Sequence, residues 1–196
     1  MVEFTTVAIG VLLSLEFGYF LKAAVVAFGS RFLLPKVHPL QASRLYGICT
    51  TRDIDFLLNH INNARYLRAM DFGRVDHFSR SRIYSAMGGE KKVQVLVAAS
   101  TIRYRKPIYI FMPYRLESQI IYWDERNFYY RQNFETIHDN FLRATAYVKL
   151  TVLGSSPQEI LSTILPESPE RPIVPNDLES WMLYVKQNSE NLKKKV

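Results

Sequence analysis

The sequence predicts an α+β domain in which one long helix lies on a curved antiparallel sheet. Two observations predict it. A single helical stretch opens at Asn62, and beyond the Gly88-Gly89 pair the chain alternates apolar and polar residues as far as Leu153. With 196 residues, 48% hydrophobic and 22% charged, the chain can form one domain with its own core and is too apolar for disorder. Its 12 Tyr and 12 Phe favour strands or a ring-lined groove.

In chain order, residues 4–21 read FTTVAIGVLLSLEFGYFL, broken only by Glu16. As a helix this stretch rises about 27 Å, close to the ~30 Å hydrocarbon core of a bilayer. Lys22, Arg31, Lys36 and Arg44 follow it and Glu3 precedes it, so the positive-inside bias sends the rest of the chain to the cytosol. Residues 1–36 are therefore predicted to be a membrane anchor. A cleaved signal peptide followed by secretion, or an apolar helix packed on the domain, are the other readings, although the basic start of a signal peptide is missing. The continuation AAVVAFGSRFLL, before Pro35, suits the membrane surface. The terminal Lys193-Lys194-Lys195-Val196 resembles a dilysine address for the endoplasmic reticulum, which works only from the cytosol.

The domain proper is predicted over residues 40–154. Arg44 to Thr50 reads as a short strand and Thr51 to Asn62 as a polar loop. Asn62 is a good cap for the helix, whose buried face is read as Ala64, Leu67, Met70 and Phe78, with Ala69, Phe72 and Val75 widening it. Val93 to Tyr104, Tyr114 to Trp123, Phe128 to Phe134 and Phe141 to Leu153 read as strands, with turn chemistry at Asp124–Asn127 and Glu135–Asn140. In the second of these strands Leu116, Ser118, Ile120 and Tyr122 share a face. Residues 155–196 are predicted to be a linker rich in proline (Pro157, Pro166, Pro169, Pro172, Pro175), a helix opened by Asn176-Asp177, and the basic tail.

A net charge of +7 suits an anionic partner. The arginines are scattered along strands and no nucleic-acid motif appears, so a phosphorylated ligand or a lipid surface fits better than nucleic acid. Cys49 is the single cysteine, which excludes an internal disulfide and a cysteine-ligated zinc; no metal or cofactor is predicted. That cysteine usage fits a reducing compartment.

The stretch Asp55 to Leu67 carries the candidate chemistry. It sets a carboxylate in a loop just before the start of an apolar helix, where unpaired N–H groups and the helix dipole favour an oxyanion. Asp53, Asp55 and His60 followed by Asn62-Asn63-Ala64-Arg65-Tyr66-Leu67 resembles the 4-hydroxybenzoyl-CoA thioesterase-like hotdog family. Ser100 to Pro107, Asp124 with Phe128-Tyr129-Tyr130, and Ala144 to Lys149 are similar to that family's sheet. The likeness covers Ser43 to Leu153, and Arg52 to Leu58 together with the N-terminal anchor resembles a membrane-associated branch of the family.

The resemblance implies a homodimer with an acyl-CoA site at the subunit interface. It makes Asp55 the catalytic carboxylate that activates water, with His60 beside it. Asn63 and Ala64 become backbone donors to the thioester oxygen, and Asn62, Arg103 and Arg105 contacts for the substrate. Two functions follow: hydrolysis of acyl-CoA thioesters at the reticulum membrane, or a scaffold that binds acyl-CoA or lipid without hydrolysis. A structural membrane adaptor is a third. Each residue has a plainer role beside this one. Asp55 and His60 order the loop, Asn62 and Asn63 cap the helix, Asp53 is solvated, and Arg103, Arg105 and Lys106 line an outer strand face. His60 stands one residue further from Asp55 than the family pattern, with Leu57-Leu58-Asn59 where a glycine is usual.

Overall fold

The structure, a computed structural model, describes residues 17–55, 57, 59–88 and 92–193. Five strands form one sheet in the order β1-β3-β4-β5-β2: β1 Ser43–Ile48, β2 Gln94–Tyr104, β3 Pro113–Trp123, β4 Asn127–Thr136 and β5 Leu142–Leu153. Every neighbouring pair is antiparallel. Alternation settles which side of each strand is covered. Ala144, Ala146, Val148, Leu150 and Val152 of β5 are each 3% exposed or less, while the residues between them face outward.

Two strands change phase at bulges. On the inner face, Val95 and Val97 of β2 lie opposite Val152 and Leu150; past the bulge Ser100, Ile102 and Tyr104 take over, opposite Val148, Ala146 and Ala144. In β3 a bulge between Ile120 and Tyr122 brings Trp123 fully inside and leaves Tyr122 on the outer face. The unbroken alternation predicted for this strand put Tyr122 inward; one extra residue in the ladder reverses it.

The central helix α2, Asn63–Arg80, crosses the inner face of the sheet, and α1, Phe17–Phe32, packs along α2. Asn62 caps α2 as predicted, its side chain accepting from the Ala64 N–H at 2.9 Å. The helical region does not run unbroken to Gly88. It stops at Ser81, whose hydroxyl donates to the His77 carbonyl, and Arg82 at φ 65° starts the short α3, Ile83–Met87.

The buried face of α2 is the predicted one in part: Met70, Phe72 and Phe78 are buried. Ala64 and Leu67 are exposed, and Tyr66, Met70, Gly73, Arg74 and His77 meet the sheet. Apolar spacing misleads here because the sheet offers polar partners at Ser118, Tyr130 and Gln132.

The predicted linker holds a helix, α4, Pro157–Ile164. Ser156 caps it by accepting from the Glu159 N–H, and Pro157 occupies the first turn, where its missing N–H costs nothing. Ile160 and Leu161 from this helix complete the core. The final helix α5, Asn176–Lys193, docks on the outer face of β5. Leu178 is fully buried, Asp177 accepts from the Tyr147 hydroxyl at 2.6 Å, and Trp181 stacks on the Tyr147 ring.

Residues 1–16 of the predicted anchor and residues 194–196 of the lysine tail lie outside the described residues. Among the described residues no helix is long and apolar enough to cross a membrane.

Candidate active site

The chain leaves β1 and reaches α2 through a loop held by two short bridges, Ile54 with Ile61 and His60 with Tyr109. Inside it the Asp55 N–H donates to the His60 carbonyl at 2.7 Å. The half-buried Asp55 carboxylate accepts from the Leu57 N–H at 3.2 Å and from the Asn62 side-chain amide at 3.1 Å. Because the Asn62 amide nitrogen is held by Asp55, its oxygen is turned toward the helix to cap Ala64. Carboxylate, amide and helix start thus form one linked unit. In this loop Asn59 takes φ 55°, a left-handed conformation that asparagine tolerates.

This unit places Asp55 beside the α2 N-terminus, with part of its accepting capacity used to brace the loop. The cap engages the Ala64 N–H, so Ala64 does not offer that donor to a ligand. The N–H of Asn63 is the one the cap leaves alone. His60 turns its Nδ1 to the Ile61 carbonyl at 3.0 Å and its ring edge-on to Tyr109, not to Asp55.

The tip of β2 meets the helix start through Tyr104, whose hydroxyl donates to the Asn63 carbonyl at 3.0 Å. Arg103 and Arg105 flank Tyr104, and strand alternation sends them to the opposite face. Arg105 donates to the Leu142 carbonyl and lies, with Lys106 and Arg143, against the Phe141 ring. Within one chain these two arginines do not converge on Asn63.

Asp53, read from the sequence as solvated, is half-buried and structural. It accepts from the backbone N–H and hydroxyl of Thr50 at 2.9 and 2.6 Å, and its carbonyl takes the Asn62 N–H. It also lines a cleft with about 330 Å³ of empty space, walled by Lys22, Arg65, Tyr66, Arg68 and Phe72 among others. Cys49 lies beneath, fully buried. Burial, then the Asp53 carboxylate, pushes its thiol up to about 11, so no thiolate nucleophile forms near neutrality. Burial likewise raises the Tyr66 hydroxyl to about 12. Among the described residues no group of His, Cys, Asp and Glu could hold a metal ion.

A second polar constellation lies deeper, and sequence reasoning missed it. The Arg74 guanidinium donates to Gln132 at 2.6 Å and pairs with Asp71; Gln132 donates to the Met70 carbonyl and the Ser118 hydroxyl. His77 sits between the Tyr130 hydroxyl at 2.7 Å and the Gln41 carbonyl at 3.0 Å. Asp76 takes the Ser30 hydroxyl at 2.7 Å and the Arg80 guanidinium at 3.5 Å. Gly73 allows this approach, since a Cβ there would stand 2.6 Å from the Ser118 hydroxyl and 2.9 Å from the Gln132 amide. The available signal was a glycine amid Asp71, Arg74, Asp76 and His77 in the middle of a helix predicted to be central. These groups are satisfied by one another and enclose no described cleft, so they specify packing.

A five-stranded antiparallel sheet on one central helix, with an acidic loop feeding that helix's N-terminus, is the architecture of a hotdog thioesterase-like protein. The chain belongs to the thioesterase-like superfamily, whose family model matches residues 49–182. More particularly, it is 33% identical over 179 residues to Protein THEM6 of Drosophila melanogaster, covering 91% of this chain and 92% of that one. It is also 34% identical to Protein THEM6 of Danio rerio, covering 89% and 86%. Among solved structures, Slr0204 of Synechocystis, a 1,4-dihydroxy-2-naphthoyl-CoA thioesterase, superposes with a TM-score of 0.56 at 9% identity, over 65% of this chain and 97% of its own. A probable thioesterase from Bartonella henselae gives 0.52 at 17%, over 69% and 100%. These two likenesses establish the fold.

Proposed function

We propose that the protein hydrolyses acyl-CoA thioesters at the cytosolic face of the endoplasmic reticulum. The observation that carries this is the Asp55–Asn62 contact, which ties a carboxylate to the residue that caps the start of α2. Asp55 takes a proton from water, the water attacks the thioester carbonyl, and the Asn63 N–H supports the oxygen as it gains charge. Membership of the thioesterase-like superfamily supports the choice of a thioester.

The acyl-CoA is held between two copies. β2 is an edge strand with Leu96 and Val97 each 52% exposed, and pairing it with a second copy removes both the edge and the apolar surface. Edge pairing also sets the outward Arg103 of each chain near the other subunit, where coenzyme A phosphates can be met. The apolar N-terminal segment, residues 1–36, anchors the protein, and the lysine-rich end retains it in the reticulum.

A second reading, a scaffold that binds acyl-CoA or lipid without turnover, is favoured by one feature: both Asp55 oxygens already accept hydrogen bonds from the loop. The full chain assayed on an acyl-CoA panel separates the two. Hydrolysis that falls about 100-fold or more in Asp55→Asn, with the fold intact, supports catalysis. Binding without turnover, unchanged in that variant, selects the scaffold. A loss confined to Asp53→Asn would transfer the base to Asp53.

A further inference from the structure

We propose that α1 lies flat in the headgroup region of an anionic membrane, its axis parallel to the surface and its outer face in the lipid. This rests on the reading that the protein is membrane-anchored and adds where its folded domain sits. Phe17, Phe20, Leu21, Val25, Phe28 and Phe32 are each at least 60% exposed. Their spacing puts them on one stripe of the helix, and Leu33 and Leu34 extend it. A patch of this kind is more than a water-facing surface ordinarily carries.

The helix cannot roll to hide the stripe, because its other side is committed. Tyr19 packs on the Phe72 ring at 5.3 Å, and the buried Ser30 hydroxyl is tied to Asp76 at 2.7 Å. Charge then selects the occupant. From Phe17 through Arg52 the chain contains no Asp or Glu, and its charged residues are Lys22, Arg31, Lys36, Arg44 and Arg52. At about 100° per residue, Lys22 and Arg31 fall on opposite margins of the stripe. Rings in the middle with cations on both flanks is the pattern of a helix lying in an anionic interface. A second copy fits poorly, since two such faces would oppose cation to cation with no acid in the segment to pair them. Lys22 also walls the cleft that Asp53 and Phe72 line, which brings that cleft to the membrane surface.

The test uses the full chain in phosphatidylcholine–phosphatidylserine vesicles. Phe20→Cys, Phe28→Cys and Phe32→Cys each receive a fluorophore, with Ile173→Cys, at a 95% exposed site away from α1, as control. The native Cys49 is buried and stays unlabelled. Nitroxide lipids carrying the quencher at graded depths should quench the three α1 labels equally, about 5–10 Å into the boundary, and leave the control bright. Quenching should weaken in pure phosphatidylcholine; quenching unchanged there would overturn the role of charge. Depth that changes steadily from Phe20 to Phe32 would overturn the parallel orientation. Bright α1 labels on protein that floats with the vesicles would refute the inference while leaving the anchor standing. Protein that does not float would remove both.

Discussion

The two neighbouring helices α1 and α2 invert each other. On α1, large apolar rings face out; on α2, Arg74, Asp76 and His77 are held inside at 8%, 0% and 0% exposure. Neither pattern follows the usual sorting of apolar inward and polar outward. For α2 the explanation lies within the fold, because each buried group meets a partner on the sheet, on its own helix or on the segment after α1. For α1 no inward partner among the described residues takes the stripe, and the partner is sought outside. A helix face that breaks the sorting rule therefore points to its partner, and whether that partner is internal separates packing from docking.

The strongest way to break this comparison is to remove one internal partner. Gln132→Leu takes the acceptor from the Arg74 guanidinium and the donor from the Met70 carbonyl and Ser118. Arg74 keeps Asp71 as its ion-pair partner, but one buried hydrogen bond to its guanidinium and those to the Met70 carbonyl and Ser118 are lost at about 1–3 kcal/mol each, so chemical denaturation should show a loss of about 3–5 kcal/mol. A change under about 1 kcal/mol would show that the network is not what holds α2.

Acid should act on the same face. Burial lowers the His77 pKa from 6.5 to about 4, against a weaker opposing effect of its hydrogen bond to Gln41 and the nearby Asp76. The unfolded chain therefore binds this proton first. His77's contribution is full above about pH 6.5 and is lost as the pH falls to about 4, amounting to about 3 kcal/mol. His77→Gln should flatten this part of the stability profile relative to the wild type. Equal acid dependence in both would rule His77 out as its source.

The smallest effect is expected on α1. Phe28→Glu changes a 60% exposed ring, so the folding free energy should move by no more than about 0.5 kcal/mol, measured in the absence of lipid. A large loss would mean that the stripe is covered within the folded protein, and the contrast with α2 would collapse.

Much of this was legible from residue order alone. Asn62 as the cap, the inner face of β5 and the place of the candidate site all follow from short-range rules, because caps and alternation depend on immediate neighbours. Legibility failed where one residue interrupts a period. The bulge that exchanges Tyr122 for Trp123 leaves no mark in composition, and Pro157 reads as a linker unless its place at a helix start is seen. The role of Asp55 was readable as a position. Its contact with Asn62 depends on how the loop closes, through the Ile54–Ile61 and His60–Tyr109 bridges.

The sequence by itself determined the α+β class, the family and the loop-to-helix junction, since all three are written in local pattern and motif. Only the tertiary structure decided which face of α2 is buried and that α1 is tied along it. Those outcomes depend on groups far apart in the chain, such as Arg74 with Gln132 or Ser30 with Asp76. The desolvation that makes such pairings matter exists only once the core has closed.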